Sequence, residues 1–391
     1  MRRYTAEEED RVRLHVSVRD WTRSGLLHAE QGAQLRTALQ VDLRRTGLTA
    51  RIGLALFTLV VVGASVGLAF LLLNLRDEIP IAVVLGAMGA LSLVATDTLI
   101  ARFRLYRHGV EEAVSVGGVV LCGIAAVVFG FGISGTQNAD ACIAAGLVVS
   151  ALASGAIYLR YGFRYAGVGA LVLTAVAPLP FGSLSTSWKH VLAAGISGVA
   201  LAAANAMRRR VSEERFQDDA EVFRAAALVC VYLSLNVYAG GRLWMLFGSA
   251  LEPWFIRSTY VVTWIVPILG LQTGVRIRDR RLIDVSLALA VVTLLTNKSY
   301  LGLTRQPWDA MLLGVLLVGV AIGVRRWLTG GPGGARAGYT AVQLLESEAR
   351  SIQVAGLASV TMHPGPIGES SPTHTEFSGG RSGGAGGGGD F

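Results

Sequence analysis

Gly63-Ala64-Ser65-Val66-Gly67 spells G-x-S-x-G, the turn on which hydrolases mount a nucleophilic serine. Such a serine needs a base within hydrogen-bond reach. Ser65 lies midway along an apolar stretch, and no histidine falls inside any comparable stretch. His190 is expected at the outer edge of another, about 10 Å away in depth at ~1.5 Å rise per helical residue. The pattern therefore reads as a G-x-x-x-G surface for close helix packing, in a chain of 48 glycines.

Three other residues are candidates for intramembrane chemistry. Asp97, in LVATDTLIARF, is the acidic residue placed deepest in an apolar stretch, and buried carboxylates often mark ion or proton paths. It lies about one turn from the inner boundary, with Arg102 and Arg104 just beyond, so pairing with an arginine or reaching to the headgroups is the plainer expectation. Asn236 sits mid-stretch beside Tyr232 and Tyr238, where an interhelical hydrogen bond is expected before a ligand contact. Pro267 interrupts WIVPILGLQTG; a proline there frees a backbone carbonyl and kinks the helix, a break that transporters use for binding sites. Asn205 and Asp284 read as boundary residues. Cys122, Cys142 and Cys230 lie at different depths in apolar runs and read as small buried hydrophobes. The sequence holds no H-E-x-x-H, Walker loop, paired intramembrane carboxylates, facing histidines or Cys/His metal spacing, so no catalytic residue, cofactor or metal is assigned.

The elements that would position these residues are membrane helices. Ten apolar stretches are expected to span, at 52–75, 79–101, 114–133, 139–159, 165–181, 188–207, 222–239, 258–275, 282–297 and 309–324. The fifth and ninth are short for a hydrocarbon layer of ~30 Å. With the amino terminus inside, 29 of the 35 basic residues fall on the inner side. Arg76, Lys189, Arg242, Arg257, Lys298 and Arg305 fall outside, in accord with the positive-inside rule. Losing one span would invert every later loop. Trp188, Trp244, Trp254, Tyr300 and Trp308 then line outer span ends as an aromatic belt. The outer loop 240–257 reads as interfacial, with a re-entrant segment as the alternative. No internal repeat is detectable.

Composition agrees: 52% of residues are hydrophobic, 16% are charged and mean hydropathy is +0.51. The net charge of +8 is carried almost wholly by arginine, and its distribution assigns it to membrane orientation, not to nucleic acid. The first fifty residues hold no apolar core, so no cleavable signal peptide is expected. The expected class is an all-α polytopic membrane protein in three parts. Residues 1–50 form a cytoplasmic helical hairpin, 51–327 the membrane domain, and 328–391 a juxtamembrane segment with a Gly-rich flexible tail. A short helix or strand pair is expected around 339–361.

In the hairpin, Thr5-Ala-Glu-Glu8 fits a capping box and Gly25 a helix stop. RVRLHVSVR alternates like a strand, yet Val12/Val16 and Leu14/Val18 also make helical stripes, and helix is favoured. A second helix, about Ala29 to Arg45, would present Leu35, Leu39 and Leu43 on one face. Trp21, Leu26, Leu27, Leu35 and Leu39 form the expected contact surface, too small to fold alone.

The pattern W-x-x-x-G-L-L-x-x-E-Q, here Trp21, Gly25, Leu26, Leu27, Glu30 and Gln31, resembles the amino-terminal hairpin of a bacterial membrane-protein family catalogued as a domain of unknown function, number 2157. Glu111-Glu112-Ala113-Val114, leading to Gly117 and Gly118, extends the likeness over roughly residues 15 to 170. His28 departs from it, standing where such hairpins put a capping Asp, Ser or Thr. The resemblance implies a multi-pass protein of the bacterial inner membrane and carries no activity. Three functions stay open: a non-catalytic scaffold or sensor whose hairpin docks a cytoplasmic protein, a secondary transporter of a small molecule, and a membrane-embedded enzyme. The bilayer is the one sure partner; no nucleic acid is expected, and oligomeric state is left open.

Overall fold

The computed structural model describes residues 3–23, 25–41, 43–44, 46–210, 214–239, 251–304, 306, 308–331, 335–336 and 339–340. The chain folds almost wholly into helices, and these fall into two units. One takes in the described residues of Met1–Tyr4 and Asp42–Thr304, the other those of Thr5–Val41 and Arg305–Asp390.

In the first unit, α3 (Leu48–Leu73), α4 (Glu78–Phe103), α5 (Val110–Ser134) and α6 (Ala139–Tyr161) are followed by α7 (Arg164–Val176), α8 (Thr186–Arg210) and α9 (Glu214–Leu235), then α10 (Pro253–Ile277) and α11 (Arg280–Tyr300). Among the described residues seven helices are long and apolar enough to cross a membrane: α3 to α6, Thr186–Met207 of α8, α10 and α11. The ninth expected span, short in the sequence reading, is a full helix of 21 residues. The fifth is not: α7 stops after 13 residues, about 20 Å at 1.5 Å per residue. Ala177, Leu179 and Pro180 follow as a buried turn. Leu179 N–H reaches Val176 O at 2.9 Å and Gly182 N–H reaches Asp140 Oδ2 at 2.7 Å, so this non-helical backbone keeps its hydrogen bonds inside the protein.

Close packing of α4, α5 and α6 depends on glycine. A Cβ on Gly89 would lie 3.0 Å from Cys122 N and 3.1 Å from Gly118 O, and one on Gly146 would lie 2.8 Å from Gly123 O. Backbone meets backbone at both crossings, which only glycine allows. The sequence reading placed such packing at Gly63 and Gly67, and there it is wrong: nothing within 4 Å would meet a Cβ at either. They lie on α3, which packs chiefly on α5 and is exposed along most of its length.

In the second unit, α1 (Ala6–Arg23) and α2 (Ala29–Ala38) pack on one another, and α12 (Asp309–Thr329) precedes a two-residue antiparallel strand pair, Ala335–Arg336 with Tyr339–Thr340. Thr5 N–H donates to Glu8 Oε2 at 3.0 Å and Glu8 N–H to Thr5 Oγ1 at 3.2 Å, a complete capping box. Gly25 closes α1 with φ +73°. Of the expected contact surface Leu27 is buried, while Trp21, Leu26, Leu35 and Leu39 are partly buried. His28, despite its departure from the usual capping residues, forms a capping box with Gln31, its backbone N–H donating to Gln31 Oε1 at 3.2 Å.

Two boundaries differ from expectation. α2 ends at Ala38, not Arg45, because Leu43 packs against the core of the first unit and Arg44 pairs through its backbone with Arg104 and Tyr106 at 3.0 and 3.1 Å. Tyr4 joins the same place: it is buried, donates to Leu105 O at 2.6 Å and meets Tyr106 edge-on at 5.0 Å. Burial, then the nearby Glu111, pushes its hydroxyl far above the ordinary tyrosine range, so it remains a neutral donor. The expected re-entrant alternative at 240–257 falls largely, and the 341–391 tail wholly, outside the described residues.

Gly89→Leu should lower the midpoint of thermal unfolding in detergent sharply, because overpacking against backbone costs about 1–3 kcal/mol or more. Gly63→Leu should leave it within a degree or two; size-exclusion thermostability of the two variants side by side checks this.

Candidate polar centre of the helix bundle

Pro267 organises the deepest polar group of the first unit. Lacking an N–H, it leaves the carbonyl of Thr263, one turn earlier in α10, without its helical donor. Thr293 of α11 supplies one: its Oγ1 donates to Thr263 O at 3.0 Å, sharing the proton with Leu289 O at 3.0 Å. With that proton committed, Tyr232 of α9 must be the donor in the 2.8 Å contact between the two hydroxyls. Tyr232 in turn accepts from Asn236 Nδ2 at 2.7 Å, and the second amide proton of Asn236 goes to Thr296 Oγ1 at 3.1 Å. Asn236 Oδ1 closes the end of α9, accepting from the backbone N–H of Ala239 at 2.9 Å and Tyr238 at 3.2 Å. Every donor and acceptor of Asn236 is used. All these side chains are buried, Asn236 and Tyr232 completely.

Sequence reasoning singled out Asn236 and Pro267 separately; the structure joins them through Tyr232, Thr293 and Thr263. Asp97 belongs elsewhere. It accepts from Arg160 Nε at 2.9 Å and Tyr161 Oη at 3.3 Å, with Arg3 4.0 Å away. Its partner therefore comes from the end of α6, not from Arg102 or Arg104 on its own helix.

That pair is one of several, among the described residues, that link helices at the end the charge bias assigns to the inside. Arg51 of α3 grips Glu112 of α5 through two nitrogens, one at 2.6 Å. Arg164 of α7 holds Asp219 of α9 at 2.7 Å, and Tyr158 of α6 donates to the same carboxylate at 3.1 Å. Arg224 of α9 lies 2.7 Å from Asp279, whose other oxygen caps α11 by accepting from Leu282 N–H at 3.1 Å. Both side chains of this last pair are 1% exposed. A buried pair of this kind is costly to split, by about 3–5 kcal/mol, because one charge is left uncompensated. Arg224, counted among the inner charges in the sequence, is buried there against Asp279 and not exposed in a loop.

Ser65 is excluded as a nucleophile by its surroundings. It is exposed in mid-helix and its hydroxyl donates to Val61 O at 2.8 Å. His190 is buried, its Nδ1 donating to Ser234 O at 2.9 Å, and the Glu252 carboxylate accepts the Trp254 indole N–H. Cys122 and Cys142 pack against Gly89 and Gly130. Among the described residues no cluster of three or more His, Cys, Asp or Glu could hold a metal ion.

The chain matches no family model, and no curated protein and no solved structure is significantly similar to it.

Thr293→Val keeps the shape but strands the Thr263 carbonyl and the Tyr232 proton, and should destabilise by about 1–3 kcal/mol. Pro267→Ala restores the amide donor to Thr263, so the double variant should recover part of that loss. A double-mutant cycle on detergent-solubilised protein reads the coupling; strict additivity would show that the two residues do not share this hydrogen bond.

Proposed function

We propose that this chain is a bacterial inner-membrane protein that crosses the bilayer ten times with both termini inside. In this reading it serves as a non-catalytic scaffold or sensor, docking a cytoplasmic protein through the helical pair α1–α2. The observation that carries it is the closure of the polar groups on themselves. Asn236 and Pro267 are satisfied in one network and Asp97 in a separate ion pair. Transport through a midplane site would call for those groups to converge on one cavity. The seven long apolar helices support the membrane assignment; in the proposal α9, α12 and the short α7 with the buried turn after it make the remaining crossings. The charge bias supports the orientation. Membership in the family numbered 2157 is part of the same proposal and rests on the Trp21–Gln31 motif.

The anchoring of Tyr4 and Arg44 at Leu105 dictates how to test the docking role. Removing residues 1–46 would tear both anchors out of the first unit. Replacing residues 6–41 by a short Gly/Ser linker keeps them, since the two ends of the excised segment already meet at one place. Crosslinking in native membranes should then lose a specific cytoplasmic partner while the altered protein still inserts and purifies as a single species. An unchanged set of crosslinked proteins would remove the docking role from α1–α2.

A further inference from the structure

The edge where the chain entering α3 meets the α4–α5 turn carries more positive charge than its ion pairs use. The chain before α3 runs alongside the α4–α5 turn: Arg44 bridges to Leu105, Thr46 Oγ1 donates to His108 O at 3.0 Å, and Gly109 packs on the Arg51 backbone. This pairing gathers Arg44, Arg102 and Arg107 at one edge, all exposed. Arg107 stacks over Tyr106 at 5.5 Å, and among the described residues none of the three has a carboxylate partner. The described acidic residues close by are engaged elsewhere. Glu112 is gripped by Arg51, Asp97 by Arg160, and Glu111 is fully buried with His108 N–H on one oxygen at 2.7 Å. Arg104 and Arg107 both hold positive φ, +50° and +53°, a conformation that side chains other than glycine rarely adopt.

Directly beside these arginines the surface turns apolar. Leu48 is 71% exposed, Ile52 52% and Phe103 47%, and α3 touches α4 only lightly, so exposed apolar side chains of both helices adjoin the charged edge. Inorganic phosphate would have no use for that apolar surface, whereas a diacyl phospholipid matches both halves: a phosphodiester for the guanidinium groups and chains for the apolar side chains. We propose that Arg44, Arg102 and Arg107 bind the headgroup of an anionic phospholipid whose acyl chains lie along Leu48, Ile52 and Phe103. The lipid would fill the seam that α3 leaves by packing chiefly on α5.

The inference rests on the membrane-spanning reading, which resistance of the protein to alkaline extraction from membranes checks independently. The test is native mass spectrometry of the full-length protein in nonionic detergent, titrated with phosphatidylglycerol, phosphatidylcholine or inorganic phosphate. Phosphatidylglycerol should bind and stay bound, phosphatidylcholine should bind far more weakly, and inorganic phosphate should not displace the lipid. Arg44→Gln, Arg102→Gln and Arg107→Gln should each weaken phosphatidylglycerol binding about fivefold, ~1 kcal/mol. Arg257→Gln, an exposed arginine at the far end of the bundle, should not. Single variants keep the test valid if the triple variant fails to fold. Equal binding of both lipids, displacement by inorganic phosphate, or undiminished binding by the single variants would each overturn the proposal.

Discussion

A bilayer interior offers no hydrogen bonds, so each polar group carried into it must find its partner within the protein. That constraint explains the arrangement of this chain more than any one motif does. Pro267 breaks a helical hydrogen bond in α10, and the repair recruits Thr293 from α11, Tyr232 from α9 and Asn236 at the end of α9. The relay runs in one direction, from amide to hydroxyl to hydroxyl to carbonyl, and no member is left with an unused proton. What looks like a weak point in one helix is thereby the point at which three helices are joined.

Charge follows the same logic at one end of the bundle. Arg51–Glu112, Asp97–Arg160, Arg164–Asp219 and Arg224–Asp279 join α3 to α5, α4 to α6, α7 to α9, and α9 to the start of α11. Each pair ties two separate helices, or a helix and the start of another, by opposite charges. Glycine brings the middle helices close enough for this, since Gly89 with Gly118 and Gly123 with Gly146 let backbones touch. Among the described residues Arg44, Arg102 and Arg107 are not drawn into such pairs and stay exposed beside the α4–α5 turn.

Local features of this fold were legible in the sequence. Long apolar stretches give helices because backbone groups in lipid have few other ways to be satisfied, and a helix covers most of each stretch that was expected to hold one. The Thr5–Glu8 box and the Gly25 stop are decided by neighbours a few residues away and came out as read. Partnerships between distant residues were not legible. Nothing in the spacing of Asp97 points to Arg160, and the donor for the Thr263 carbonyl lies thirty residues away on another helix. Pro267 did signal that a donor was needed; only the packing of α10 on α11 says which. The reading of Gly63 and Gly67 failed for the same reason, because a G-x-x-x-G pattern states that a helix can be approached closely and not that one approaches. Arg44 and Leu43 left the expected helix because backbone pairing with 104–106 outweighed local helix preference.

The functional account depends on the centre of the bundle being closed and dry. The most direct measurement places a single cysteine at Thr293, in a chain whose three native cysteines are changed to alanine or serine, and treats intact membrane vesicles of both orientations with a membrane-impermeant maleimide. The account predicts no labelling from either side until the protein is denatured, with a control cysteine at exposed Gly302 labelled readily. Rapid labelling at position 293 from one side would reveal a water path to the Pro267 centre. The closed network would then be one state of a transport site, contradicting the scaffold reading.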